Sequence, residues 1–301
     1  MSSDVIIQNP KDDGRYSDVI KSFDKLTQQI DEEPNGLYRH RVIIQTGNVI
    51  IDNNNLDCEF TIPFDDDTEA NEAEITVYNL KDSTINQIKT NARITVTAGY
   101  GNDTGVIFSG FISYKETSYE NQDKVTTIYA LDDMNLKERD VESIAYSENT
   151  KASYILYDLC KRVGLPIVAF EVVRDHVYTD STTVDGGLMD NIKKYAKICG
   201  VSAYICKSAI YVRSLKSGDN THFLLTTDTG LLSINEFEEE ETNEEYTDKI
   251  CGYEVEMLLQ HRVQTASIIS IVTKRVRGNY RVREGSHEYD GTNFITKVKV
   301  I

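Results

Sequence analysis

The sequence predicts a mixed, mainly β fold in which a small α/β module separates two β regions. Residues 37–147 and 217–301 alternate apolar and polar side chains and are rich in β-branched and aromatic residues. Residues 148–216 instead place apolar side chains three to four residues apart, the spacing of amphipathic helices. The two β regions also end in a similar order of strands and turns, which indicates a duplicated barrel.

The first 36 residues are predicted to form an N-terminal arm with one short helix. Its sequence is polar except for apolar residues at helical spacing, namely Val19, Ile20, Phe23, Leu26 and Ile30. Such a helix packs either on its own domain or on a neighbouring subunit, and the sequence leaves both alternatives open.

The first β region, 37–147, contains several short strands separated by Asn-, Asp- and Gly-rich turns. The predicted strands are 37–47, 58–64, 73–80, 93–100, 105–116 and 124–132. A short helix over 83–89 interrupts them, with Ser83 as its expected N-cap. Short antiparallel strands with one small helix favour a closed barrel or a sandwich.

The module, 148–216, has two predicted helices, each followed by strands. The first helix, within 147–165, ends at Gly164, and the second, within 186–200, ends at Gly200. The predicted buried face of the first helix consists of Ile155, Leu156, Leu159 and Val163. That of the second consists of Leu188, Ile192, Tyr195, Ala196 and Cys199. A tight turn at Lys207–Ser208 joins the last two strands.

Composition excludes several classes of protein. The net charge of −17 argues against nucleic-acid binding, because nucleic-acid binders normally carry a basic surface. No apolar run is long enough for a membrane segment, and no signal peptide is evident, so we expect assembly in a cytoplasm. The five cysteines have no paired spacing and are expected to be small, reduced, buried residues.

Catalytic and metal-binding motifs are not evident in the sequence. His287, Glu288 and Asp290 are close in sequence, but neighbouring residues of a strand point to opposite faces, so we interpret 286–291 as a polar turn. The pair Asp175–His176 has no nucleophile motif to accompany it. The sequence therefore predicts no catalytic residue, no metal site and no cofactor, and the protein is expected not to be an enzyme.

Two charged runs are predicted to lie at subunit interfaces. The acidic run 236–245 includes four consecutive glutamates, Glu238, Glu239, Glu240 and Glu241. A basic run of opposite sign contains Lys274, Arg275, Arg277, Arg281 and Arg283. Because complementary charge sets the register between partners, we predict that these residues contact neighbouring subunits.

Residues 71–101, from NEAEITVYNL through the small helix to the Ala98-Gly99-Tyr100 end, resemble the first barrel of baseplate hub and tail-tip proteins. This family includes phage late-control proteins and hubs of PBSX-like prophages and R-type bacteriocins. VIFSGFIS at 106–113 is similar to the family's Phe-x-Gly strand. The module at 151–214 and the stretches 229–232, 252–271 and 278–291 continue the resemblance in the family's order.

The resemblance implies two small antiparallel β-barrels joined by the α/β module. It also implies a homotrimer at the tip of a contractile tail, where six barrels adapt a sixfold tail tube to a threefold spike and nucleate tube assembly. The expected partners are the tube protein, a spike or needle protein and other baseplate proteins. No lysin or peptidoglycan-binding segment follows the last strand, so cell-wall cleavage is not expected. The alternatives are a tail-associated peptidoglycan hydrolase and a receptor-binding β protein.

Overall fold

A computed structural model describes residues 39–66, 70–132, 140–214, 216–242 and 247–301 of the chain. Arg39–Ile301 forms one folded unit. The predicted N-terminal arm and its helix lie outside the described residues. None of the described helices is long and apolar enough to cross a membrane.

The first β region has seven strands and one short helix, close to the predicted positions. They are β1 (His40–Thr46), β2 (Val49–Asp52), β3 (Cys58–Phe64), β4 (Glu72–Tyr78), α1 (Asp82–Ile85), β5 (Arg93–Tyr100), β6 (Asp103–Glu120) and β7 (Asp123–Leu131). Burial alternates strictly along β3, as its sequence requires. The helix is shorter than predicted, and Ser83 lies inside it rather than at its N-cap.

The α/β module contains two helices, seven strands and their turns. They are β8 (Asp140–Tyr146), β9 (Thr150–Lys151), α2 (Ala152–Val163), β10 (Ile167–Phe170), β11 (Val177–Tyr178), β12 (Thr182–Gly187), α3 (Leu188–Ile198), β13 (Ser202–Cys206) and β14 (Ala209–Arg213). Its first strand, β8, lies within the predicted first β region, 37–147, but packs in the core of the module. The predicted faces of both helices are buried. Gly164 follows α2 with φ +84°, the left-handed conformation that ends many helices.

The second β region consists of six strands. They are β15 (Asp219–Leu225), β16 (Leu231–Thr242), β17 (Thr247–Leu258), β18 (Ser267–Val272), β19 (Arg277–Tyr289) and β20 (Phe294–Val300). Gly230 ends a short 3-10 turn at Thr227–Thr229 and leads into β16.

One 13-stranded sheet connects the two β regions. Its order is β16-β17-β20-β19-β3-β4-β7-β6-β5-β1-β2, with β18 paired to β19 and β15 to β18. The two regions meet where β3 pairs antiparallel with β19, from Phe60 opposite Tyr289 to Phe64 opposite Gly285. The prediction of a mainly β fold is confirmed. The strand pairings of the described residues do not close into a barrel.

The described residues form one small hydrophobic cluster, of Tyr204, Cys206 and Ala266, and three large ones. One belongs mainly to the first β region, one to the module and one to the second β region. Leu259 and Phe294 of the second region pack in the first cluster, while Phe64 of the first region packs in the third. The two β regions therefore share core residues as well as backbone hydrogen bonds.

Candidate assembly surfaces

The structure divides the predicted basic run into an exposed part and an internal part. Lys274, Arg275 and Arg277 are exposed at the turn between β18 and β19. The Thr273 hydroxyl accepts hydrogen bonds from the backbone N–H groups of Arg275 and Val276, at 3.2 and 2.8 Å, and fixes this turn. The three cations make no ion pair with a described residue. Their side chains are therefore accessible to a neighbouring subunit, as the interface prediction requires.

Arg281 is buried and Arg283 is partly buried, and both lie beside Asp66 of the same chain. The Arg281 side chain is 6% exposed, and its Nη1 lies 2.9 Å from Oδ2 of Asp66. Its Nε donates to the backbone carbonyl of Ser217 at 3.0 Å. Arg283 lies 3.8 Å from the other Asp66 oxygen. Because buried charges require partners, Arg281 ties together the end of β3, the segment before β15 and β19. Its charge is used within the chain, so we omit Arg281 and Arg283 from the proposed interface.

The acidic run lies on β16, at the edge of the sheet. Glu238 pairs with Lys249 at 2.5 Å, and both side chains are more than half exposed. Glu239 pairs with Lys299, which also lies 2.9 Å from Glu284. The backbones of Glu240 and Glu241 continue the strand opposite Lys249 and Asp248. Exposed pairs of this kind contribute little to stability and remain available to a partner.

Beyond β20, strands β16 and β17 pair only with each other. The last contact of β17 with β20 is Tyr253 opposite Val300, whereas β16 and β17 continue from Phe237 opposite Gly252 to Thr242 opposite Thr247. We call residues 237–242 and 247–252 the acidic arm. An isolated two-stranded segment is only marginally stable in water, so we expect another surface to stabilise the acidic arm.

Polar contacts reinforce the junction of the two β regions. The Asp103 carboxylate accepts two hydrogen bonds from Arg262, at 2.6 and 2.9 Å, and lies 3.0 Å from His261. Hydrogen bonds from Arg262 lower the pKa of Asp103 to about 2. The Tyr100 hydroxyl donates to the carbonyl of Phe294 at 3.2 Å. These contacts hold the start of β6 against the second region.

The module reaches the same junction through the turn between β13 and β14. Lys207 and Ser208 both have positive φ, as a two-residue hairpin turn requires. The Ser208 hydroxyl donates to the Ser109 carbonyl of β6 at 2.8 Å. Desolvation lowers the pKa of Lys207. The predicted tight turn is thus also an anchor that holds the module to the sheet.

The residues considered for chemistry do not form a site. His287 lies within β19 rather than in a polar turn, is fully buried, and its Nδ1 lies 2.8 Å from the Thr296 hydroxyl. Glu288 points to the opposite face and pairs with Lys297 at 2.7 Å. The Asp175 carboxylate accepts hydrogen bonds from the backbone N–H and the hydroxyl of Ser153. In the described ranges, no group of three or more His, Cys, Asp or Glu residues could hold a metal ion.

Burial of His287 predicts a loss of stability in acid. Desolvation lowers the pKa of His287 from 6.5 to about 3 in the folded chain. The unfolded chain therefore binds the proton first, and stability present above the unfolded pKa is lost as the pH falls from 6.5 toward 3. The slope should approach about 1.4 kcal/mol per pH unit for this group.

Urea unfolding measured from about pH 7.5 to 5 would test this effect. His287→Gln should flatten the pH dependence relative to the unaltered chain. An unchanged slope in His287→Gln would contradict the assignment.

Comparison with known proteins decides the family. The family model for baseplate hub gp41 matches residues 70–283, more than half of the chain. The chain belongs to the baseplate hub gp41 family. No curated protein sequence matches it. As a member of a baseplate hub family, this hub protein is a structural protein of a phage-type tail and not an enzyme, as the sequence predicted.

Solved structures of tail proteins share the hub protein's fold. The 43 kDa tail protein of prophage MuSo2 from Shewanella oneidensis has a TM-score of 0.62 at 8% identity, covering 87% of this chain and 97% of that chain. A tail protein from Neisseria meningitidis MC58 has a TM-score of 0.63 at 7% identity, covering 87% and 96%. An Escherichia coli component of the type VI secretion system, described as similar to T4 tail proteins gp27 and gp5, has a TM-score of 0.59 at 8% identity, covering 86% and 76%.

The sequence did not predict the environments of Asp66 and Cys251. Asp66 lies in an acidic segment that the sequence predicts only as a turn, and its two arginine partners are more than 200 residues away. Cys251 is exposed on the acidic arm, whereas the other four cysteines are buried as expected. No local pattern distinguishes these residues, because each depends on which distant segment packs beside it.

Proposed function

We propose that this hub protein forms a homotrimer that adapts a sixfold tail tube to a threefold spike and nucleates tube assembly. The observation that carries this proposal is a repeated pattern of strand pairing. In the first region the order is β3-β4-β7-β6-β5, and in the second it is β16-β17-β20-β19-β18. Each region thus offers one copy of the same five-strand unit, and three chains offer six.

The domain organisation of the proposal follows this repeat. Residues 37–147 and 217–301 contain the two five-strand units, and residues 148–216 form the module, with which β8 packs. Because the module occurs once per chain, it matches threefold rather than sixfold symmetry and belongs outside the ring or toward the spike. The arm, 1–36, is left without an assigned role.

Partners are proposed from symmetry and charge. The two five-strand units face the tube protein, and a spike or needle protein and other baseplate proteins complete the tail tip of a contractile phage or R-type bacteriocin. The particle assembles in the bacterial cytoplasm. Lys274, Arg275 and Arg277, with the glutamates 238–241, are candidate contacts with neighbouring subunits, whose register they would set.

A reconstruction of the assembled tail tip tests the proposal directly. Three copies of the hub protein are expected around the axis, with both five-strand units of each copy against the tube. A ring of six copies, or a single copy, would overturn it, because neither gives six repeated units on a threefold partner.

A further inference from the structure

The pairing of β19 with β3 joins the two β regions. The equivalent pairing, of β6 with β16, is not made between the described residues of one chain. In the sheet order, the four strands β16-β17-β20-β19 are followed by β3-β4-β7-β6, and the link is the pair β19–β3. The strands that correspond to this pair, β6 and β16, face outward at the other two ends of the series. On the side of β6 away from β7, no described strand pairs with residues 114–120, and β16 pairs only with β17.

The strand pairings fix the correspondence between the two units. Phe111 of β6 is opposite Leu131, and Arg281 of β19 exchanges backbone hydrogen bonds with Ile301. When these two pairs are aligned, Tyr119 is equivalent to Tyr289 and Lys115 is equivalent to Gly285. In the other strands, Val125 opposite Tyr78 corresponds to Ile295 opposite Leu258.

The same alignment relates β3 to β16. Phe60 is opposite Ile75 and corresponds to Ile234, which is opposite Val255. Phe64 then corresponds to Glu238. The observed register of β3 on β19, with Phe60 opposite Tyr289 and Phe64 opposite Gly285, therefore specifies a second register. It places Ile234 opposite Tyr119 and Glu238 opposite Lys115.

We propose that β16 of a second copy pairs with the open edge of β6 in this register, so that its acidic arm lies beside Lys89, Arg93 and Lys115. This inference rests on the proposed trimer and names the contact that closes it. A head-to-tail contact of this kind closes into a ring when the rotation between copies is suitable.

Exposure at the β6 edge supports the contact. Tyr119 is 73% exposed and Tyr114 is 57% exposed, although both are large aromatic side chains. On the facing strand, Leu232 is 52% exposed. An unprotected strand edge with exposed aromatic residues is a ready site for pairing with another chain.

Charge at the same edge is complementary to the acidic arm. The Lys115 ammonium donates to the carbonyls of Ile85 and Ile88, which places it next to Lys89, and burial lowers its pKa. Arg93 begins β5 at the point where β5 leaves β6. Lys89 and Arg93 are exposed and make no ion pair with a described residue. Three cations thus lie at this edge of a chain whose net charge is −17.

A disulfide trap tests the register. The variant Ser118→Cys with Asn235→Cys, made in a Cys251→Ser background, places two cysteines directly opposite each other in the proposed contact. Both positions are exposed. Mild oxidation should give covalent dimers and trimers on a non-reducing gel, with no larger species. The matched control, Ser118→Cys with Ser233→Cys, is displaced by two residues on the same face and should lose this ladder.

Charge is tested in the same assay. Adding Lys89→Glu and Arg93→Glu to the trap variant should reduce the ladder at low salt. The difference should disappear in about 1 M salt, because the distance over which exposed charges interact then falls to about 3 Å. Oxidation captures even short-lived contacts, so a trap variant without a ladder would overturn the inference. If the unaltered chain still sediments as a trimer, the proposed function survives that result. A ladder that continues beyond three chains would instead contradict the trimer.

Discussion

Replacing Arg281 with methionine is expected to destabilise the hub protein by about 3–5 kcal/mol, because it leaves Asp66 as a buried carboxylate without its closest partner. The Asp66 and Arg281 side chains are only 10% and 6% exposed. The variant also leaves the Ser217 carbonyl without its donor. Urea unfolding would measure the loss as a lower midpoint at unchanged slope.

An exposed ion pair provides the matched control. Arg262 and Asp103 form a bidentate pair, but their side chains are 45% and 47% exposed. Arg262→Met should therefore cost less than about 1 kcal/mol. The double variant Asp66→Asn with Arg281→Met should lose less stability than the sum of its two single variants, because neither charge is then left alone. Equal losses in Arg281→Met and Arg262→Met would contradict the internal role of Arg281.

Replacing Gly110 with alanine is expected to cost about 3 kcal/mol, at the upper end of the range for overpacking. A Cβ at this position would lie 2.2 Å from the Leu131 carbonyl oxygen and 2.6 Å from the Phe108 ring. The nearer obstacle is the backbone, which cannot move away without breaking the pairing of β6 with β7. The change should lower the midpoint of thermal or urea unfolding.

Gly278→Ala in β19 is the control for Gly110→Ala. There the three atoms nearest to a Cβ all belong to the Tyr280 side chain, the closest at 3.1 Å, and a side chain can shift more easily than the backbone. Its cost should be well below that of Gly110→Ala. Similar losses for the two variants would show that the glycines act through backbone freedom rather than close approach.

The glycine of the Phe-x-Gly motif, Gly110, is explained by the tertiary structure and not by the local sequence. The family resemblance marks VIFSGFIS, but the sequence gives no reason for Gly110. The structure supplies it, because Gly110 lies where β6 changes partners, opposite Ile94 on β5 and beside Phe111, which pairs with Leu131. At Gly110, β6 lies between β5 and β7, and the Leu131 carbonyl approaches so closely that no side chain fits.

The sequence by itself determined the local elements, the mainly β class and the family. Alternation at every second residue defines strands such as β3, and apolar spacing with a terminal glycine defines α2, because both signals act within a few residues of each other. The tertiary structure alone decided which charges face outward. Arg277 and Arg281 belong to one basic run on one strand, yet Arg277 is exposed and Arg281 is buried against Asp66. That difference arises because β19 continues from its pairing with β18 into a region covered by the end of β3, a contact between residues more than 200 positions apart that no local pattern encodes.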